Sequence, residues 1–164
     1  MSLRFAVLTV SDRSALGERK DASGPALVEM IKNQGWNVIR QKILPDDLNM
    51  IRESLTSWAD RGDLDIILTT GGTGFAPRDL TPEATRAVID REAPGLAEAM
   101  RISGAAHSAH AMLSRAVAGL RGKVLIINLP GNPRGALENF QTVVPVLEHA
   151  IQLLQDDPGA EMGH

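Results

Sequence analysis

The chain contains no cysteine. Disulfide bonds, thiol nucleophiles and thiolate zinc sites are therefore excluded. No apolar stretch approaches the roughly 20 residues that cross a bilayer, and the first residues lack the basic and apolar regions of a signal peptide. The net charge is −3 and no basic block is interleaved with aromatic side chains, which argues against nucleic-acid binding. We therefore expect a cytoplasmic protein that binds neither a membrane nor nucleic acid.

The chain has 164 residues, of which 43% are hydrophobic. This length suits one well-filled domain, and this composition allows a packed core without disulfides or a structural metal. We expect a single domain over residues 1–155 and a flexible tail over residues 156–164, because chain ends without packing partners fray.

Four short apolar runs alternate with segments that have helical spacing. The runs, which predict strands, are Phe5–Val10, Val38–Leu44, Asp65–Thr69 and Lys123–Leu129. The helical segments are Pro25–Gln34, Leu48–Arg61, Thr81 to about Arg91, and Gly135–Leu154. Nearly continuous apolar strands are typical of a sheet that helices cover on both faces. The alternation predicts an α/β fold with a mainly parallel sheet.

Local signals predict where several of these helices begin and end. Gly35 and Gly62 suit helix C-caps, and Thr81, which precedes a proline, is expected to cap the third helix with its hydroxyl. Pro145 predicts a kink or break in the last helix. The less regular stretch Ala93–Leu120 is expected to hold short helices and a small hairpin.

A polar or glycine-rich motif follows each predicted strand. These motifs are Ser11-Asp12, Asp46-Asp47, Gly71-Gly72-Thr73-Gly74 with Asp79, and Pro130-Gly131-Asn132-Pro133. The carboxyl ends of parallel strands lie at one edge of a sheet, and open α/β sheets bind their ligands there. The sequence therefore predicts that all four motifs converge on a single site.

The glycine-rich motif is a candidate phosphate-binding loop. Glycines let backbone amides approach a ligand closely, amide-lined concavities bind phosphate, and Thr73 adds a hydroxyl donor. No Gly-Lys-Ser/Thr follows, so the segment is not a P-loop, and it lacks the third spaced glycine of a dinucleotide fingerprint. A tight strand-to-helix turn is the alternative interpretation.

Two aspartates are candidate magnesium ligands. Mg²⁺ typically takes one or two carboxylates together with substrate phosphates and water, and Asp46 and Asp79 are expected at the same edge. Asp47 competes with Asp46, but its position just before a helix favours a capping role. Asp79 has an alternative role as a carboxylate that stabilises a helix N-terminus.

The remaining polar residues carry weaker signals. Ser11-Asp12 and Pro130–Pro133 either line a pocket or only turn the chain. His107 and His110 lack further metal ligands nearby, which favours a surface or packing role. Trp36 and Trp58 are expected to pack in the core.

The sequence resembles the MogA-like molybdopterin adenylyltransferases from about Arg4 to Leu154. The matching blocks are Thr9-Val10-Ser11-Asp12, Asp21–Pro25, Pro45-Asp46, Leu68–Leu96, Ala111–Arg115 and Asn128–Pro133. All of them occur in family order. The related MoaB-like branch includes members that lack the second aspartate of an Asp-x-Thr-Pro motif, whereas this chain keeps Asp79, Thr81 and Pro82.

The resemblance implies a three-layer sandwich around a mainly parallel sheet, a homotrimer, and transfer of AMP from Mg-ATP to the terminal phosphate of molybdopterin. It implies catalytic and metal-binding roles for Asp46 and Asp79, a phosphate-binding role for Thr73 and its glycines, and a place for Ser114 at the pterin-nucleotide site. It also implies that Ser11, Asp12, Thr81 and the Pro130–Pro133 block line the pocket, and that a molybdate-inserting protein receives the product.

Two other functions remain open on the sequence. The first is a module that binds molybdopterin or its nucleotide without making it, because the same fold occurs in domains that insert molybdate. The second is an unrelated nucleotide-binding or assembly protein. Only the enzyme would release pyrophosphate in response to molybdopterin.

Overall fold

The computed structural model describes residues 1–156 and 158–159. Six strands form one sheet in the order β2-β1-β3-β6-β5-β4. The strands are β1 (Arg4–Val10), β2 (Asn37–Leu44), β3 (Ile66–Thr70), β4 (Arg91–Glu92), β5 (Ala118–Arg121) and β6 (Val124–Leu129). The first four in spatial order run parallel, and β5 pairs antiparallel with both of its neighbours, β6 and β4. The predicted mainly parallel sheet is therefore confirmed.

Helices cover both faces of this sheet, which makes the predicted three-layer sandwich. They are α1 (Asp12–Ala15), α2 (Ser23–Asn33), α3 (Leu48–Asp60), α4 (Thr81–Val88), α5 (Pro94–Ala105) and α6 (Pro133–Leu154), and a 3₁₀ helix spans Ala109–Leu113. One core lies between the sheet and α2, α5 and α6. The other lies between the sheet and α3 and α4. Successive residues of β1 alternate between the two cores, as the period of a strand requires.

The two tryptophans pack in these cores, as predicted. Trp36 stacks on Phe5 with ring centroids 5.4 Å apart, and its indole nitrogen donates to Glu148 at 3.0 Å. Trp58 is buried in the second core with α3. Both side chains therefore stabilise the layers rather than the ligand site.

The prediction of burial on both faces is wrong for β2. Ile39 and Ile43 are 45% and 40% exposed. This strand is the edge of the sheet and has one neighbour, so the helices packed over the centre leave its outer side chains in solvent. Its β-branched residues favour an extended strand here without requiring burial.

Helix ends follow the sequence signals in part. Gly35 and Gly62 adopt φ of +80° and +78° just after α2 and α3, which confirms the predicted stops. Thr81 is not the N-cap of α4; it is the first residue of that helix. Its hydroxyl donates to the Gly71 carbonyl at 2.9 Å, and no side chain caps this end of the helix. The helix also ends at Val88, before the predicted end.

The stretch Ala93–Leu120 contains short helices, as predicted, but its small hairpin is not confined to it. The strand β5 begins at Ala118 and forms a hairpin with β6, which is the predicted fourth strand. Helix α6 begins at Pro133, earlier than predicted, because the Asn132 side chain caps it by accepting from Gly135 N at 3.1 Å. It continues through Pro145 to Leu154, so the chain does not break there. Pro145 and Gln141 are exposed, and water can therefore satisfy the Gln141 carbonyl that loses its helical partner.

Of the predicted flexible tail, residue 157 and residues 160–164 lie outside the described residues. Within the described part of the chain, no helix is long and apolar enough to cross a membrane.

Candidate active site

The four predicted motifs meet at the carboxyl edge of the parallel strands. Val10 pairs with Leu44, and Thr70 pairs with Leu129, so the strands end side by side. Hydrogen bonds extend this alignment into the loops, because Ser11 N donates to Leu44 O at 2.9 Å and Gly71 N donates to Leu129 O at 3.0 Å. The predicted convergence on one edge is therefore confirmed.

The glycine loop, residues 71–74, has a backbone that requires glycine. Gly71 and Gly72 adopt φ of +103° and +68°, which disfavours residues that have a Cβ atom. A Cβ at Gly71 would lie 2.2 Å from Val10 O, and one at Gly72 would lie 2.4 Å from the Thr81 Oγ1 atom. Thr81 closes the other side of the loop, since its backbone N donates to Gly72 O at 3.2 Å.

Asp46 and Asp12 bind each other reciprocally. Asp12 N donates to the Asp46 carboxylate, and Asp46 N donates to the Asp12 carboxylate, both at 2.9 Å. Arg78 binds the same pair, because its Nη2 donates to Asp12 Oδ1 at 2.9 Å and to Asp46 O at 3.1 Å. The carboxylate of Asp12 is therefore occupied by protein partners.

The surroundings of Asp46 and Asp12 shift the pKa values of these two residues in opposite directions. Burial raises the pKa of Asp46, and the negative charges of Asp12 and Asp79 raise it further. The hydrogen bond from Arg78 lowers the pKa of Asp12. Asp46 is thus a carboxylate whose ionised form is disfavoured by its surroundings, and a bound cation would relieve that cost.

Asp79 lies beside the glycine loop at Gly74. Its Oδ2 accepts from Ala76 N at 2.9 Å, and a Cβ at Gly74 would lie 2.9 Å from the same oxygen. A Cβ at Gly72 would lie 3.2 Å from Asp46 Oδ1. Both carboxylates therefore face space beside the loop that a side chain in place of glycine would fill.

This donor set fits a magnesium ion that shares its ligands with a substrate. The described residues hold no group of three or more His, Cys, Asp or Glu side chains that could bind a metal by themselves. Two carboxylates beside a candidate phosphate loop are enough for Mg²⁺, since phosphates and water complete its octahedron. Asp47 is not part of this set. Its side chain caps α3 by accepting from Met50 N at 2.9 Å, which confirms the predicted capping role.

Two cavities adjoin the loop. The smaller holds about 430 Å³, and its lining includes Ser11, Arg19, Lys20, Ser23 and Pro133. The larger holds about 760 Å³, and its lining includes Gly72, Thr73, Gly74, Asp79, Ser114 and Pro130. Gly131 and Asn132 line both, so the proline-rich motif forms the wall between them.

The predicted site residues thus occupy two kinds of position. Thr73, Gly74, Asp79, Ser114 and the Pro130–Pro133 block line a cavity directly. Four predicted residues line neither cavity. Gly71 belongs to the loop and binds Thr81, and Asp12 and Asp46 bind each other. Ser11 lines the smaller cavity and also caps α1, because its hydroxyl accepts from Ser14 N at 3.2 Å.

Several basic residues of the cavities were missed by sequence reasoning. Arg19 lines both cavities, and Arg101, Arg134, His107 and His110 line the larger one. The two histidines, for which the sequence favours a surface or packing role, therefore also form part of a cavity wall. No spacing signal marks these residues, because they come from a loop, α5, the segment after it and α6. Only the fold brings them together.

Residues 6–149 match a family of domains described as "Probable molybdopterin binding domain". The chain is 43% identical over 157 residues to "Molybdenum cofactor synthesis protein cinnamon" of Drosophila melanogaster, covering 95% of this chain and 26% of that protein. It therefore spans about a quarter of that relative's length. It is 38% identical over 155 residues to "Molybdopterin adenylyltransferase" of Helicobacter pylori strain J99, covering 93% of this chain and 88% of that protein.

Solved structures show the same fold. The crystal structure of the molybdopterin biosynthesis enzyme MoaB from Thermus thermophilus superposes with a TM-score of 0.89 at 51% identity, covering 95% of this chain and 98% of that one. The three-layer fold described above is therefore also the fold of that protein.

Proposed function

The chain belongs to the family of molybdopterin-binding domains, and we propose that it is a molybdopterin adenylyltransferase of molybdenum cofactor biosynthesis. The observation that carries the proposal is the placement of the Asp46 and Asp79 carboxylates beside the glycine loop, next to Gly72 and Gly74. Support comes from the relative that bears this name at 38% identity over 155 residues. That relative is matched over 88% of its length.

The proposed reaction joins two substrates through their phosphates. An oxygen of the terminal phosphate of molybdopterin attacks the α-phosphorus of ATP, and a new P–O bond forms. The bond between the α-phosphorus and the oxygen bridging to the β-phosphate breaks, and pyrophosphate leaves with that electron pair. The product is adenylylated molybdopterin. No covalent enzyme intermediate is required, which agrees with a chain that lacks cysteine.

The protein must align two polyanions and offset their repulsion. In the proposal, the amides of the glycine loop and the Thr73 hydroxyl bind phosphate oxygens, and Asp46 and Asp79 hold Mg²⁺. When bound, Mg²⁺ supplies positive charge to the phosphates and orients them for transfer. Thr73 suits its role, because its hydroxyl makes no hydrogen bond to any of the described residues and its backbone carbonyl is fixed by Arg115 N at 2.8 Å.

The two cavities suit two substrates. Ligand cavities typically hold roughly 300–1,000 Å³, and both cavities, at about 430 and 760 Å³, fall in that range. Arg19 and Lys20 give the smaller one positive charge, and Arg101 and Arg134 lie on the larger one. We propose that the reacting phosphates meet near Gly131 and Asn132, which both cavities share.

Three further proposals rest on the family resemblance. The active protein is a homotrimer, it works in the cytoplasm, and it passes adenylylated molybdopterin to a protein that inserts molybdate. Sedimentation of the purified protein tests the first of these, because a trimer has three times the mass of the 17.6 kDa chain.

Pyrophosphate release from ATP tests the function, measured with and without molybdopterin and Mg²⁺. The wild type should release pyrophosphate only when both are present. Asp79→Asn should reduce the rate on the order of 100-fold, as loss of a group that stabilises transition-state charge does. Asp47→Asn is the matched control. It changes a neighbouring carboxylate to an equally good N-cap, and its rate should equal that of the wild type.

A folded wild-type protein that binds molybdopterin tightly but releases no pyrophosphate would be a binding module, and the proposal would fall. Undiminished release by Asp79→Asn would remove the metal role of Asp79 while leaving the enzyme in place.

A further inference from the structure

Arg115 contacts the glycine loop and its extension to Asp79 from a distant part of the chain. Its Nε donates to Gly74 O at 2.8 Å, and its Nη2 donates to Asp79 O at 2.7 Å. Its backbone N donates to Thr73 O at 2.8 Å. The third arm of the guanidinium pairs with the Glu83 carboxylate. One residue between the 3₁₀ helix and β5 thus binds three carbonyls of a segment that is at least 36 positions away.

These contacts determine where the loop amides point. A trans peptide is planar, so a carbonyl and the N–H of the following residue point in opposite directions, and the described residues include no cis peptide bond. The Arg115 guanidinium binds the Gly74 carbonyl, so the N–H of Phe75 is turned away from the guanidinium. The Thr73 carbonyl is bound by the backbone N of Arg115, so the direction of the Gly74 N–H does not depend on the side chain. Gly74 and Phe75 both line the larger cavity.

Arg115 also fixes the main chain of Asp79. The carbonyl of Asp79 is bound by Arg115, and its carboxylate is bound by Ala76 N at 2.9 Å. The main-chain carbonyl and the side-chain carboxylate of Asp79 are therefore both held. The direction of the carboxylate thus depends on the guanidinium. Arg115 itself does not line either cavity, so it acts on a ligand through these other groups.

We propose that Arg115 is a positioning residue whose guanidinium aims the Phe75 amide at the departing pyrophosphate and holds Asp79 as a metal ligand. The proposal rests on the proposed function, since it names the pyrophosphate that adenylyl transfer releases. A lysine cannot replace the arginine, because a single ammonium group cannot span the planar fork of contacts to Gly74, Asp79 and Glu83.

Magnesium pyrophosphate is the probe that tests this role. Its binding is measured by calorimetry and by the amide signals of Gly74 and Phe75 in ¹⁵N–¹H spectra, and pyrophosphate release from ATP is measured in parallel. In the wild type both amide signals should shift on titration. In Arg115→Lys binding should weaken roughly 10- to 100-fold, as it does when a residue supporting a metal ligand is changed. At saturating probe the Phe75 shift should disappear, whereas the Gly74 shift should remain, because the backbone N of residue 115 still binds the Thr73 carbonyl.

Glu83→Gln is the matched control, because it removes the ion pair with Arg115 and leaves the carbonyl contacts. Its binding constant should stay within about twofold of the wild type, as expected for a partly exposed ion pair. Urea unfolding of each variant separates loss of stability from loss of binding. If Arg115→Lys does not fold, Arg115→Gln takes its place with the same expected loss.

Wild-type affinity and an unchanged Phe75 shift in a folded Arg115 variant would overturn the proposal, even if its stability had fallen. A wild type that binds magnesium pyrophosphate through the Phe75 amide but transfers no AMP would overturn the proposed function and leave the positioning role intact. A wild type whose Phe75 signal does not respond to the probe would overturn the positioning role alone, provided that AMP transfer is observed.

Discussion

Replacing Gly72 with alanine should destabilise the protein by an amount that its surroundings allow us to work out. Gly72 has a φ of +68°, a left-handed conformation that costs about 1–2 kcal/mol for a residue with a Cβ atom. That Cβ would lie 2.4 Å from the Thr81 Oγ1 atom and 3.2 Å from Asp46 Oδ1. Thr81 is fully buried and its hydroxyl is bonded to Gly71 O, so it cannot move without losing that bond. Overpacking of this kind costs a further amount of about 1–3 kcal/mol.

The expected fall in unfolding free energy is therefore about 2–5 kcal/mol, measured by urea denaturation. Gly62→Ala is the control, because Gly62 has a similar φ of +78° and a Cβ there would have no atom within 4 Å. It should lose only the conformational part, about 1–2 kcal/mol. Pyrophosphate release should fall sharply in Gly72→Ala and stay normal in Gly62→Ala. Equal losses of stability in the two variants would refute the steric reasoning, and full activity in Gly72→Ala would remove the loop from the site.

In protein freed of divalent cations by a chelator, Asp46→Asn should raise the unfolding free energy near neutral pH, because the fold disfavours the ionised carboxyl. A raised pKa in the fold stabilises the protonated state below the ordinary value of 3.8, and this contribution is lost as pH rises through the folded value. The advantage of the asparagine should therefore grow with pH across that window, and an advantage that is constant with pH would contradict the assignment. Separately, Asn128→Leu should lower the unfolding free energy by about 1–3 kcal/mol, since it leaves the buried Val117 N–H without the side-chain oxygen that accepts from it at 3.1 Å. Asn37→Leu, at an exposed position on β2, should change it by less than about 0.5 kcal/mol, and similar losses in both would contradict the role of Asn128.

The placement of the site could be predicted because it depends on strand order and not on side-chain detail. Apolar runs identify β1, β2, β3 and β6, and parallel strands bring their carboxyl ends to one edge. The motifs after Val10, Leu44, Thr70 and Leu129 had to meet there once those strands paired in parallel. The positive φ of Gly71 and Gly72 could also be predicted, because few residues other than glycine adopt it.

The contacts that hold the site could not be predicted, because they join residues that are far apart in sequence. The reciprocal bonds of Asp12 and Asp46 span 34 positions, and those of Asn128 with Thr69 span 59. No local pattern records such pairs. Thr81 illustrates the limit most directly, because its sequence context matches an N-cap while its hydroxyl instead serves Gly71 O across the loop. The local capping signal is overridden by a contact to Gly71, ten positions earlier, that the sequence pattern does not reveal.

The charges around the loop give a physical reason to expect that the proposed activity uses a divalent cation. Arg78 balances Asp12 by binding it, whereas Asp46 and Asp79 make no ion pair with a described residue. On their own these two carboxylates would repel the polyphosphate of the proposed substrate. One Mg²⁺ would carry the charge that offsets both, and it would relieve the cost that burial places on the ionised form of Asp46. In the proposed function, the negative charge that costs stability without a divalent cation would therefore also make phosphate binding depend on the metal.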